Sequence, residues 1–227
     1  MFIGHFGVAM AGKRVAPKVS LPVLFLAAQF ADTLWPFLVA AGIETVRIAP
    51  GDTKYTPLQF VSYPWSHSLL MLMIWGILFG TIYRLYTGDG RGGVLIGALV
   101  VSHWVLDWIT HRADMALYPG GPKLGLGLWN HPTASMAVEV VVFAIGVAIY
   151  EGTTKGKDKK GQYAFWLMVV LFLVGFSAAS GGAPPPSVKA IWMGSIAAIA
   201  LGLLLASYID RHRTLEDSVA ANGGTSV

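Results

Sequence analysis

Six apolar runs, each about 17 to 23 residues long, constrain the fold of this chain more than any other feature. Crossing the hydrocarbon core of a bilayer takes about 20 apolar residues of helix. Inside lipid only helices and closed barrels satisfy every backbone polar group. The runs cover 21–43, 67–86, 94–110, 132–150, 163–179 and 190–209. The expected fold is therefore all-α: a polytopic transmembrane helix bundle of about six spans. It forms one domain over 1–213, followed by a small, polar, disordered tail over 214–227. Pro36 is the expected bend in the first span, and Ser66 the expected N-cap of the second.

Composition agrees. The chain is 55% hydrophobic and 12% charged, against about 25% charged for a soluble domain. With no cysteine, disulfides and thiolate metal sites are excluded. A net charge of +4, spread over loops, makes nucleic acid a poor partner and membrane lipid the natural one. Of 16 Lys and Arg, only Arg47, Lys54, Arg112, Lys123 and Lys189 fall in loops on the side opposite the N-terminus. The positive-inside rule then places both termini in the cytoplasm, in a bacterial inner membrane.

Against this apolar background the polar residues stand out. His103, Asp107 and His111 recur every four residues at the end of the third run, so they share one helix face. An aspartate at mid-membrane costs roughly 2.5–3.5 kcal/mol on insertion scales, so such a stripe needs partners. His and Asp together are a sensible set of metal ligands. The alternative is a hydrogen-bonded pair that only holds helices together. On the expected topology, His67 starts the second span from the outer side and His131 starts the fourth. Glu139 lies two turns further in, and Asp32 is near mid-membrane. His5 precedes the first run and falls on the inner side by charge. It meets the others only if residues 1–12 enter the membrane as a re-entrant half-helix beside Asp32. His111 and His131 sit where histidine is cheap, so a solvated role is as open to them as ligation.

Several short pieces carry a resemblance: Gly4-His5, Phe30-Ala31-Asp32, Ser66-His67-Ser68-Leu69, and Ser102-His103 followed by Leu106-Asp107. Over roughly residues 1–112 the chain resembles the membrane-bound metal-dependent hydrolase family of bacterial inner membranes. The resemblance implies His5, Asp32, His67, His103 and Asp107 as site residues. Where that family commonly has a proline and two aspartates, this chain keeps only Asp32, one hard ligand fewer for a second metal. A weaker likeness, resting on His103-x-x-x-Asp107, is to zinc-dependent phospholipase C and single-strand nucleases, and it is analogy only.

Two functions follow. In the first, His5, Asp32, His67, His103, Asp107, His111 and His131 are the candidate ligands of one or two divalent metals, zinc first. Asp32 or Glu139 takes a proton, and Arg112 holds a phosphate or carboxylate. The substrate is a lipid head group or other amphipathic ester near the outer face. In the second, the chain is a non-enzymatic accessory subunit or small transporter with a structural polar cluster. Protein partners and homo-oligomerisation stay open.

Overall fold

The computed structural model describes residues 1–181 and 183–216. Nine α-helices and three two-stranded antiparallel ribbons occur among them. Five helices are long and apolar enough to cross a membrane: α5 (Leu69–Thr87), α6 (Gly90–Thr110), α7 (Pro132–Glu151), α8 (Lys159–Gly181) and α9 (Val188–His212). A sixth span is possible if α2 (Leu21–Ala28) and α3 (Phe30–Ala40) count as one, although they meet at 60°.

That bend is not at Pro36, which lies inside α3, but at Gln29, which ends α2 and opens α3. A proline has no N–H to return to the carbonyl four residues back, yet α3 continues through it. The break does something Pro36 could not. At the bend the Ala28 carbonyl accepts a hydrogen bond from another helix, and Asp32 falls in the first turn of α3. A carboxylate there sits at the positive end of the helix dipole.

The N-terminal segment is helix α1 (Ile3–Val15). Its 13 residues reach about 20 Å, too short to span. It lies inside the bundle against α7, α2 and α6, with Ile3, Ala9 and Met10 fully buried. The backbones of α1 and α7 touch: a Cβ on Gly7 would stand 2.6 Å from the Val142 carbonyl oxygen. Phe6 fills the neighbouring space, 5.0 Å from the Phe25 ring and 4.4 Å from Phe172. The α5–α6 pair is equally close, since a Cβ on Gly76 would stand 2.8 Å from the Gly97 oxygen. Small residues permit such approaches between membrane helices.

The loop between the first two spans is more ordered than its turn residues suggest. Gly42, at φ 73°, turns the chain out of α3. Strands β1 (Thr45–Ile48) and β2 (Leu58–Ser62) then pair, with Arg47 opposite Gln59. The short helix α4 (Pro64–His67) follows. Ser68, not Ser66, stands at the N-cap position of α5 and makes no side-chain cap. The loop 111–131 also folds, as β3 (Met115–Ala116) paired with β4 (Lys123–Leu124) and a 3-10 turn at Leu128–Asn130. At the other end of the bundle, β5 (Thr154–Gly156) pairs with β6 (Arg213–Leu215). The tail is expected to be disordered from Thr214, but Thr214 and Leu215 belong to a strand because Arg213 is buried against Thr154, Gln162 and Glu151. Residues 217–227 of that tail lie outside the described residues.

Candidate metal centre

The end of the bundle formed by the start of α5, the end of α6 and the start of α7 collects the polar residues. Helix α6 carries His103 and Asp107 one turn apart, both buried, and ends at His111. Helix α1 brings His5, α3 brings Asp32 and α4 brings His67. Asp107 Oδ1 lies 3.1 Å from His5 Nε2, and Asp107 Oδ2 lies 3.2 Å from His103 Nε2. His67 Nε2 lies 3.4 Å from Asp32 Oδ1 and 3.9 Å from Asp107 Oδ2. His103 Nε2 is 3.9 Å from Asp32 Oδ1, and His111 Nε2 is 3.7 Å from Asp107 Oδ2.

Two overlapping groups have ligand atoms within 4.8 Å of one another: His5, His103 and Asp107, and Asp32, His67 and His103. Ligands held at about 2.0–2.2 Å around a tetrahedral zinc stand about 3.3–3.6 Å apart. The four separations linking His67 and His103 to Asp32 and Asp107 run from 3.2 to 3.9 Å. They bracket that edge length.

Hydrogen bonds on the far side of the His103, His111 and His67 rings decide which nitrogen faces inward. His103 Nδ1 donates to the Ala28 carbonyl at 2.8 Å; a carbonyl only accepts, so neutral His103 turns a lone pair on Nε2 toward the carboxylates. That Nε2 is buried and has no hydrogen-bond partner among the described residues, although Asp107 is near. His111 Nδ1 lies 3.0 Å from Asp114 Oδ1, and His67 Nδ1 lies 2.7 Å from Ser66 Oγ. Lone pairs and carboxylates aimed at one point repel unless positive charge sits between them, and a divalent cation fits that demand.

Asp114 is itself well supplied. Tyr63 donates its hydroxyl at 2.7 Å and Arg112 its Nε at 3.1 Å. Burial opposes the charged form, but the hydrogen bonds and charges of His111, Tyr63 and Arg112 outweigh it and hold the Asp114 carboxyl below its ordinary range. Burial and the Asp114 charge push the Tyr63 hydroxyl well up, so it stays a donor.

His5 therefore meets the cluster, with its ring stacked on His103 at 3.8 Å. The Met1 amino group also donates to Asp107, and to Thr110 Oγ1 at 3.0 Å. Glu139, expected as a proton acceptor, caps α1: its carboxylate accepts the Phe2 N–H at 2.8 Å and the Gly4 N–H at 3.1 Å. Both it and the cluster open on a cavity of about 170 Å³. Asp32, His67, Asp107 and His111 line one side, and Phe2, Tyr55, Phe60, Trp129 and Phe176 form an aromatic wall. Arg112 lines a different groove, with Arg47 and Lys123. It is paired to Asp52 at 2.6 Å and to Asp114, so it touches the cluster only through Asp114. His131 is exposed at the head of α7 and belongs to neither ligand group.

Sequence reasoning passes over Glu44, Tyr63 and Asp114, and reads Ser66 as a helix cap and part of the Ser66-His67 piece rather than as a partner of His67. Asp114 follows His111 by three residues, a spacing that could have been noticed. Glu44 and Ser66 are 22 apart in sequence, and only the hairpin brings them together.

A family model described as YdjM inner membrane protein matches residues 2–183. No curated protein and no solved structure matches the chain.

Proposed function

The chain belongs to the YdjM inner membrane protein family, and from there we propose that it is a membrane-embedded metal-dependent hydrolase. His67, His103 and Asp107 would hold one divalent cation, zinc first, leaving its fourth position to water beside Asp32, with His5 and His111 bracing Asp107. The observation that carries this reading is that His67 Nε2 and His103 Nε2 both face carboxylate oxygens of Asp32 and Asp107 at 3.2–3.9 Å, while the buried His103 Nε2 has no matched hydrogen bond among the described residues. When bound, such a cation polarises an ester oxygen and acidifies water. Asp32, whose side chain is 36% exposed, is the group placed to take a proton from water in the cavity. Glu139 instead fixes α1. The aromatic wall beside the polar cluster suits an amphipathic ester, and about 170 Å³ admits a head group rather than a whole lipid.

Elemental analysis of the purified protein tests the reading. We expect close to one metal per chain, lost in His103→Ala and Asp107→Ala, and zinc-dependent hydrolysis of phospholipid or phosphodiester probes. Metal-free protein whose fold and stability ignore both chelator and added zinc would overturn it. One observation favours the second reading, an accessory subunit or small transporter with a structural cluster: Asp107 already meets His5, His103 and the Met1 amine. The same metal measurement separates the two.

A further inference from the structure

We propose that Glu44, acting through Ser66, is a positioning residue that sets the tautomer of His67 and so aims its Nε2 lone pair at the cation. The inference rests on the metal reading above. Glu44 is 2% exposed and receives three donors. Its Oε1 accepts the N–H groups of Trp65 and Ser66 at 2.8 and 2.9 Å, and its Oε2 accepts the Ser66 hydroxyl at 2.6 Å. A serine has one hydrogen to give. The alternative acceptor, the Tyr63 carbonyl, lies at the outer limit of 3.5 Å, so that hydrogen goes to Glu44. The contact of 2.7 Å between Ser66 Oγ and His67 Nδ1 can then run in only one direction: His67 donates from Nδ1 and Ser66 accepts. Nε2, facing Asp32 and Asp107, is left unprotonated in the neutral ring.

The arrangement repeats across the cluster by different means. Ala28 does for His103 what Asp114 does for His111, and the Glu44–Ser66 pair does it for His67. Outer partners of this kind fix ring orientation and raise ligand basicity, and their loss typically costs 10–100-fold in metal affinity. Glu44 also ties the hairpin to α4, so a purely structural role must be distinguishable from a positioning one.

Glu44→Gln makes that distinction. Its amide oxygen can still accept both backbone N–H groups, but its NH2 donates to Ser66. That reverses the chain of hydrogen bonds, Ser66 donates to His67 Nδ1, and Nε2 carries the proton. The test is a Zn²⁺ titration of the full chain in detergent micelles, with 15N shifts of the His67 ring recorded on zinc-free protein. Wild type should show the Nδ1–H tautomer. Glu44→Gln should show Nε2–H with zinc affinity about 10–100-fold lower at unchanged melting temperature. Ser66→Ala should lose affinity, and Ser66→Thr, which restores the hydroxyl, should recover most of it. An Nε2–H tautomer in zinc-free wild type overturns the proposal, whether or not any variant folds. So does wild-type zinc affinity in folded Glu44→Gln and Ser66→Ala. Wild type that binds no zinc would instead overturn the metal reading, with the tautomer still deciding whether Glu44 orients His67.

Discussion

Asp107 uses both oxygens, Oδ1 toward His5 and Oδ2 toward His103, with His67 and His111 farther out. Replacing it by asparagine keeps the shape but puts an amide NH2 where a lone pair is needed, so Asp107→Asn should abolish metal retention, read by elemental analysis. Asp114 acts one step out. Asp114→Asn should leave the chain folded and lower zinc affinity about 10–100-fold. Arg112 stands behind Asp114, with a half-open side chain already paired to Asp52. Arg112→Ala should therefore cost less affinity than Asp114→Asn. The opposite order in a zinc titration would mean that Arg112 contacts the site directly. The residues of the cluster were readable in sequence because an imidazole or carboxylate among apolar neighbours is conspicuous. Their supports were not, because Glu44 lies in a loop and Ser66 in a four-residue helix, where such residues are ordinary.

At the scale of elements, α1 and α7 form the joint that decides whether His5 arrives. Close backbone approach and a cap hold it: Gly7 lies against the Val142 carbonyl and Gly146, and the Glu139 carboxylate accepts the first N–H groups of α1. Gly7→Leu forces the helices apart, and overpacking of this kind costs about 1–3 kcal/mol. We expect a lower melting temperature together with weakened zinc binding, since His5 leaves with α1. Gly42→Ala probes another joint. Its φ of 73° penalises a Cβ, by about 1–2 kcal/mol, while space is open around it. The loss should appear in denaturant melts, and in zinc affinity only as far as Glu44 shifts. The helices themselves were legible within a few residues at each end. The hairpins were not. Pro50, Gly51 and Asp52 announce a turn, but pairing between 45–48 and 58–62 depends on register that turn residues do not specify. The bend at Gln29 also left no mark, since neither proline nor glycine occupies that position.

For the whole molecule, the two ends differ in kind. One carries the cluster, the β1–β2 hairpin and the folded 111–131 loop. The other carries the α5–α6 turn and the β5–β6 ribbon, where Arg213 lies over the Tyr150 and Phe165 rings and pairs with Glu151. From the charge bias we expect the first end on the outer side. Because the chain has no cysteine, single-cysteine variants report this cleanly. Lys123→Cys should react with an impermeant thiol reagent added outside intact cells, and Lys159→Cys only after lysis. Labelling in the reverse pattern would invert the molecule and place the cavity at the cytoplasmic face.

Helix α1 is made well before the elements that bury it. His5 and Asp107 are 102 residues apart in the chain, and Phe2 and Glu139 are 137 apart. At ribosomal speeds of about 5–20 residues per second, the opening helix waits roughly 5–30 seconds for the surfaces that bury it. Through that interval His5 has no Asp107 to meet and Gly7 no α7 to lie against. Completion of the centre is therefore a closing event in biogenesis, coming only after the fourth long hydrophobic stretch has left the ribosome.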